Sequence, residues 1–135
     1  MTQRIRELYS KLRELIWRSF PDIVASIDEP YGKLRVYLVD GSYLDIWFSH
    51  KISGRYAYHW EHRHINGGIH RYDNRPHEFL KYMKTFPKHF HDEAENNVRE
   101  SQISEQPEDA IIYFLNFIRK KILERKTRKL KTNLK

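Results

Sequence analysis

Three short segments carry residue types able to do chemistry: Arg71-Tyr72-Asp73-Asn74, Pro76-His77, and Phe86-Pro87-Lys88-His89-Phe90-His91. If the last is extended, His89 and His91 point to one face, because alternate residues of a strand share a side. Paired imidazoles suit two jobs. They can act as general acid and base near neutral pH. They can also bind a divalent metal together with a carboxylate such as Asp73. Plainer readings compete. Asp73-Asn74 also reads as a turn with side-chain caps. Arg71 can be an ordinary ion pair, and Pro76 and Pro87 can merely stiffen a loop. The chain has eight histidines, so one His-x-His pair carries little weight for metal on its own. Structural or catalytic zinc needs three or four protein ligands. No metal and no cofactor is therefore assigned from the sequence.

The candidate residues lie in an irregular stretch, residues 73–94, with two prolines, three histidines and no sustained period. Long irregular segments in compact domains are often functional. What precedes them is regular. Residues 3–19 read as an amphipathic helix with Ile5, Leu8, Leu12, Leu15 and Ile16 at helical spacing, ended by Pro21. Residues 22–28 are a short strand candidate. Residues 34–39 and 43–48 read as a hairpin around Asp40-Gly41.

Residues 55–62 alternate, with Tyr56, Tyr58, Trp60 and His62 on one side and His59 and Glu61 on the other, expected wet, side. The aromatic stripe is expected to be core rather than a base-stacking platform. Asn66-Gly67-Gly68 is a turn, and residues 69–72 return as a strand. His50 and His70 carry no signal. Residues 78–84 suggest a helical turn or two, and residues 97–102 a last strand. From Pro107 a helix buries Ile111, Ile112, Phe114, Leu115, Ile118 and Ile122, with Glu108 and Asp109 near its positive end.

These elements predict an α+β fold: an antiparallel meander of four or five strands, an N-terminal helix and a long C-terminal helix. One domain over residues 1–125 is expected, followed by a basic, frayed tail over residues 126–135.

The chain has 135 residues and no cysteine, which excludes disulfide scaffolds, thiolate metal sites and cysteine nucleophiles. Its charged N-terminus does not read as a signal peptide. No apolar run approaches the roughly 20 residues needed to cross a bilayer. A cytoplasmic protein without a membrane partner is the expectation. The net charge of +7 is unevenly placed: residues 119–135 carry a net +8 and the rest a net −1. Arg119, Lys120, Arg125, Lys126, Arg128 and Lys129 are therefore the candidate nucleic-acid contacts, competing with a plain solvated helix end. No glycine-rich phosphate loop, nucleophile elbow or dinucleotide fingerprint is present.

The order Asp40-Gly41-Ser42, Tyr56-Ala57-Tyr58-His59-Trp60, Arg71-Tyr72-Asp73-Asn74, Pro76-His77 and Thr85-Phe86-Pro87-Lys88-His89-Phe90-His91 resembles the TumE-like toxin family, long described only as a domain of unknown function. The resemblance covers roughly residues 30–122 and leaves the N-terminal helix and the basic tail outside. It implies a toxin of a prokaryotic toxin–antitoxin pair, with a cognate antitoxin as partner. The reading that joins it to the residues is a metal-independent ribonuclease. His89 and His91 would share acid and base work, Arg71 would steady charge on phosphate, Asp73 would orient a histidine, and His77 is a further candidate. A non-catalytic nucleic-acid- or protein-binding module and a metal-binding small domain are the alternatives. RNA and a second copy of the chain stay open as partners.

Overall fold

The computed structural model describes residues 1–133. Helix α1, Gln3–Ser19, opens with the Thr2 hydroxyl accepting from the Ile5 N–H at 3.2 Å, a standard way to satisfy a free helix-end donor. Its buried stripe is Ile5, Tyr9, Leu12 and Ile16, whose spacing keeps them on one helix face. Seven antiparallel strands follow in one sheet, paired strictly in chain order. They are β1 (Val24–Asp28), β2 (Leu34–Leu38), β3 (Tyr43–Phe48), β4 (Tyr56–Glu61), β5 (Ile69–Asp73), β6 (His89–Glu93) and β7 (Val98–Glu100). A short helix, α2 (Arg63–Asn66), joins β4 to β5, and α3 (Pro107–Asn133) closes the chain.

The α+β meander is as expected, but it has seven strands instead of four or five. The irregular stretch shrinks accordingly, because His89–Glu93 is strand and not loop. The β2–β3 loop spans residues 39–42, longer than the two-residue turn expected there. Helix α3 continues to Asn133, past the expected fraying point at Arg125; the last two residues of the basic tail lie outside the described residues. No helix among the described residues is long and apolar enough to cross a membrane.

The sheet has two unlike faces. On the inner face Leu34 and Val36, Leu44 and Ile46, Tyr56, Tyr58 and Trp60, and Tyr72 pack against the stripes of α1 and α3 in one buried cluster. The aromatic stripe of β4 is core, as its alternation suggests. Phe114 of α3 is fully buried and meets the Tyr72 ring edge-on at 5.0 Å. Phe114→Ala is expected to cost about 3–5 kcal/mol, since a large cavity would open in the middle of the core. Urea unfolding checks this; a loss below about 1 kcal/mol would mean that α3 is not docked as described.

The outer face is polar, and its register decides what meets what. Arg35 stands opposite Asp45, Asp45 opposite His59, His59 opposite Arg71, and Arg71 opposite His91. In the next row, Trp47 stands opposite Ala57, Ala57 opposite Asp73, and Asp73 opposite His89. Directly opposed residues share a face, so these two rows put the Arg71 guanidinium, the Asp73 carboxylate and three imidazoles side by side.

Candidate functional site

Arg71 is the hub of the outer face. Its Nε donates to Asp73 Oδ2 at 3.1 Å. Its Nη1 and Nη2 grip the Glu95 carboxylate at 2.7 and 2.6 Å, a two-pronged pairing. The same nitrogens donate to His59 Nδ1 at 3.3 Å and to His91 Nε2 at 3.2 Å. An arginine only donates, so His59 and His91 must present lone pairs at those atoms. His59 then carries its proton on Nε2, 3.2 Å from Glu61 Oε1. Burial holds the His59 pKa below its usual value despite Glu61.

His89 and His91 are held alike. His89 Nδ1 is 2.9 Å from the Pro87 carbonyl, and His91 Nδ1 is 2.9 Å from the Glu95 carbonyl. Carbonyls only accept, so both rings carry a proton on Nδ1 and turn Nε2 toward Asp73. His89 Nε2 lies 3.1 Å from Asp73 Oδ1, and His91 Nε2 lies 3.7 Å from Asp73 Oδ2. The His89 contact is out of line for a hydrogen bond, which leaves Nε2 buried without a partner. Burial alone would raise the Asp73 pKa, but His89 and His91 in their protonated forms, and the Arg75 N–H at 2.9 Å, hold it far below the carboxylate range.

The five residues expected at the site stand as follows. Arg71, Asp73, His89 and His91 converge. His77 comes close, with its ring 6.0 Å from that of His89 and without a bond to it. His89 is only 1% exposed, so it stands behind Asp73 and not against an incoming molecule. Two participants escape a reading of the sequence. His59 lies on the expected face, but Arg71 and Glu61 cover it and it is not wet. Glu95 has no motif to mark it. The donor set Asp73, His89 and His91 has ligand atoms all within 4.8 Å of one another, an arrangement able to hold a metal ion.

Beside this centre runs a groove of about 430 Å³ lined by Lys33, Arg35, Tyr43, Asp45, Trp47, His59, Arg71 and Arg75. Arg35 pairs with Asp45 at 2.7 and 2.9 Å and lies over the Tyr43 ring. The Arg75 guanidinium has no acidic partner among the described residues; its backbone N–H is what meets Asp73. The tail cations lie with α3 and are differently employed. Arg119 donates to the Ser19 carbonyl and to Asp22, and Arg125 donates to His62. Lys120, Lys126, Arg128 and Lys129 are exposed.

A family profile described as Toxin TumE matches residues 12–122. The chain belongs to the TumE toxin family. The match begins inside α1, so the shared region reaches further toward the N-terminus than the roughly residues 30–122 that the motifs suggest. In this TumE-family chain both rows of the outer face fall within the matched region, while the end of α3 beyond residue 122 does not. No curated protein and no solved structure matches the chain.

A second imidazole pair sits on the inner face. Arg125 Nη2 donates to His62 Nδ1 at 2.8 Å, so His62 carries its proton on Nε2 and donates it to His70 Nδ1 at 2.9 Å. His70 Nε2 then faces Asp92 Oδ1 at 3.5 Å. His62 stacks on Trp60 with ring centres 3.9 Å apart. A Cβ on Gly68 would stand 2.9 Å from His62 Cε1, so only glycine leaves room for this ring. The sequence carries no signal for His70.

Proposed function

We propose that this chain is the toxin of a toxin–antitoxin pair and acts on RNA, breaking a phosphodiester bond at the outer-face centre. The observation that carries the reading is the convergence of Asp73, His89 and His91 on Arg71, which itself lines a groove with cationic and aromatic walls. A phosphate entering there meets Arg71 and Arg75, which suit its charge. The half-buried ring of Trp47 offers a surface on which a base stacks without hydrogen-bond readout. Single-stranded RNA fits this combination better than a duplex, because its bases are free to stack. Arg71, tied to Glu95 and Asp73, holds its position before a substrate arrives, and such preorganisation is what electrostatic catalysis needs. Family membership supplies the toxin role, and a cognate antitoxin that masks the groove is the expected partner.

Purified protein is expected to cleave single-stranded RNA, and Arg71→Ala to remove the cleavage. Trp47→Ala is expected to weaken RNA binding by about 1–3 kcal/mol, the usual worth of one stacked base. Gel-based cleavage and fluorescence anisotropy measure the two effects. Cleavage by Arg71→Ala at the wild-type rate would end the assignment of this centre.

A further inference from the structure

We propose that Asp73, His89 and His91 form a binding site for a divalent transition-metal cation, with zinc as the fitting example. As an account of the reactive centre this rests on the reading above; as an account of binding it stands on the atoms alone.

The tautomers come first. Carbonyl bonds at both Nδ1 atoms put the lone pair of each neutral ring, His89 and His91, on Nε2. This is the outer-shell support that metal-ligating histidines commonly have. One ligand atom from each of Asp73, His89 and His91 lies within 4.8 Å of the other two. His89 Nε2 and Asp73 Oδ1 are 3.1 Å apart, and His91 Nε2 and Asp73 Oδ2 are 3.7 Å apart. Ligands about 2.1 Å from a tetrahedral zinc stand about 3.4 Å from one another, so small side-chain shifts bring this set to coordinating distance.

A proton is the rival occupant. If His89 were imidazolium, its Nε2–H would need an acceptor in line. Asp73 Oδ1 is near enough but misaligned, and Nε2 is buried with no partner. An orphan nitrogen in a side chain 1% exposed is costly unless something binds it.

Arg71 does not block the site. Its Nη atoms hold Glu95 at 2.7 and 2.6 Å and its Nε holds Asp73 Oδ2, while Oδ1 accepts from the Arg75 N–H and lies toward His89. Only its 3.2 Å contact with His91 Nε2 must give way. Two nitrogens and one oxygen favour zinc and its neighbours over magnesium or calcium, which prefer oxygen alone. Three protein ligands leave positions open, and Asp73 borders a pocket of about 200 Å³ shared with Trp47, Arg75 and His77. A bound cation there would polarise a phosphoryl oxygen or acidify a water.

The test uses the full chain, with any purification tag removed, stripped with chelator and dialysed against zinc without RNA. One zinc per chain is expected by elemental analysis, together with a rise of several degrees in thermal midpoint at a hundredfold excess over Kd. Asp73→Asn and His91→Ala are expected to weaken binding by more than about 100-fold, beyond the roughly 10–100-fold loss typical of an outer-shell change. His50→Ala, at an exposed histidine, should bind as wild type. Circular dichroism verifies that each variant is folded. No zinc above background in folded wild type, or equal binding by folded Asp73→Asn, overturns the site. Because RNA is absent, that failure is distinct from a failure to cleave RNA.

Discussion

Asp73→Asn is expected to abolish growth arrest while leaving a folded protein. The substitution keeps the shape of the side chain and removes its charge. Asp73 touches every other member of the centre: Arg71 at 3.1 Å, His89 at 3.1 Å, His91 at 3.7 Å and the Arg75 N–H at 2.9 Å. Its strongly lowered pKa means that these neighbours are arranged around the ionised form. An amide puts an N–H donor where one oxygen stood, facing either the Arg71 guanidinium or the Arg75 N–H. The loss in RNA cleavage is expected to be at least about 100-fold, in the range seen when a positioned acid–base group is removed. The loss in stability is expected to be smaller, on the order of 1–3 kcal/mol, the worth of one mispaired buried group. Growth assays and unfolding curves separate the two effects. Asp22→Asn, which breaks the half-exposed pair with Arg119, should leave toxicity intact. Full toxicity from Asp73→Asn would remove the centre from the function.

Part of this centre can be read from the chain, and part cannot. The inward apolar alternation of β2, β3 and β4 marks a meander, and Arg71-x-Asp73 and His89-x-His91 each announce one shared face. Strand β6 itself is obscured because its outward positions are imidazoles and its remaining positions Phe90 and Asp92 are mixed, so no apolar alternation survives. Strand β7, three residues long, falls inside the strand expected over residues 97–102. His59 can be assigned a face but not a neighbour, since the pairing of β4 with β5 and of β5 with β6 is a long-range property. Glu95 follows β6 in a tight bend and becomes visible only when its carboxylate meets Arg71. Local charge counting draws attention to the end of α3 and passes over Arg71 and Arg75 beside the centre, which lie in a segment with no charge excess. Arg119 and Arg125 hold α3 to α1 and to the sheet.

Acid is expected to unfold this protein well above the pH at which carboxylates protonate, and the inner-face histidines are the reason. Burial, and then the charge of Arg125, push the His62 pKa down to about 3. Burial pushes that of His70 down to about 4 against the pull of Asp92 and Glu93. In the unfolded chain both titrate near about 6.5. Between about pH 6.5 and 4.5 the unfolded chain therefore takes up protons that the folded chain refuses, and stability falls as pH falls. The structural cause is the relay from Arg125 to His62 to His70 to Asp92. Arg125 can only donate, so a proton added to His62 Nδ1 breaks that contact, and one added to His70 Nδ1 faces the His62 donor. Lys121 adds further repulsion at His70.

On the outer face His59 acts in the same direction, its pKa lowered mainly by burial. His89 opposes: burial would lower its pKa, but Asp73 raises it, so its contribution is lost as pH rises instead. The inner pair dominates, with a loss of about 3–5 kcal/mol by pH 4.5 at about 1.4 kcal/mol per shifted pKa unit. That is a large share of the stability of a small domain. His62→Gln is expected to be less stable at neutral pH, through lost stacking on Trp60, yet to show about half the wild-type slope between pH 6.5 and 4.5. Urea unfolding across that range measures the slope, and imidazole NMR resonances identify the groups. A stability flat from about pH 7 to 4.5, or His62 and His70 titrating near their unfolded value in the folded chain, would refute a neutral buried pair.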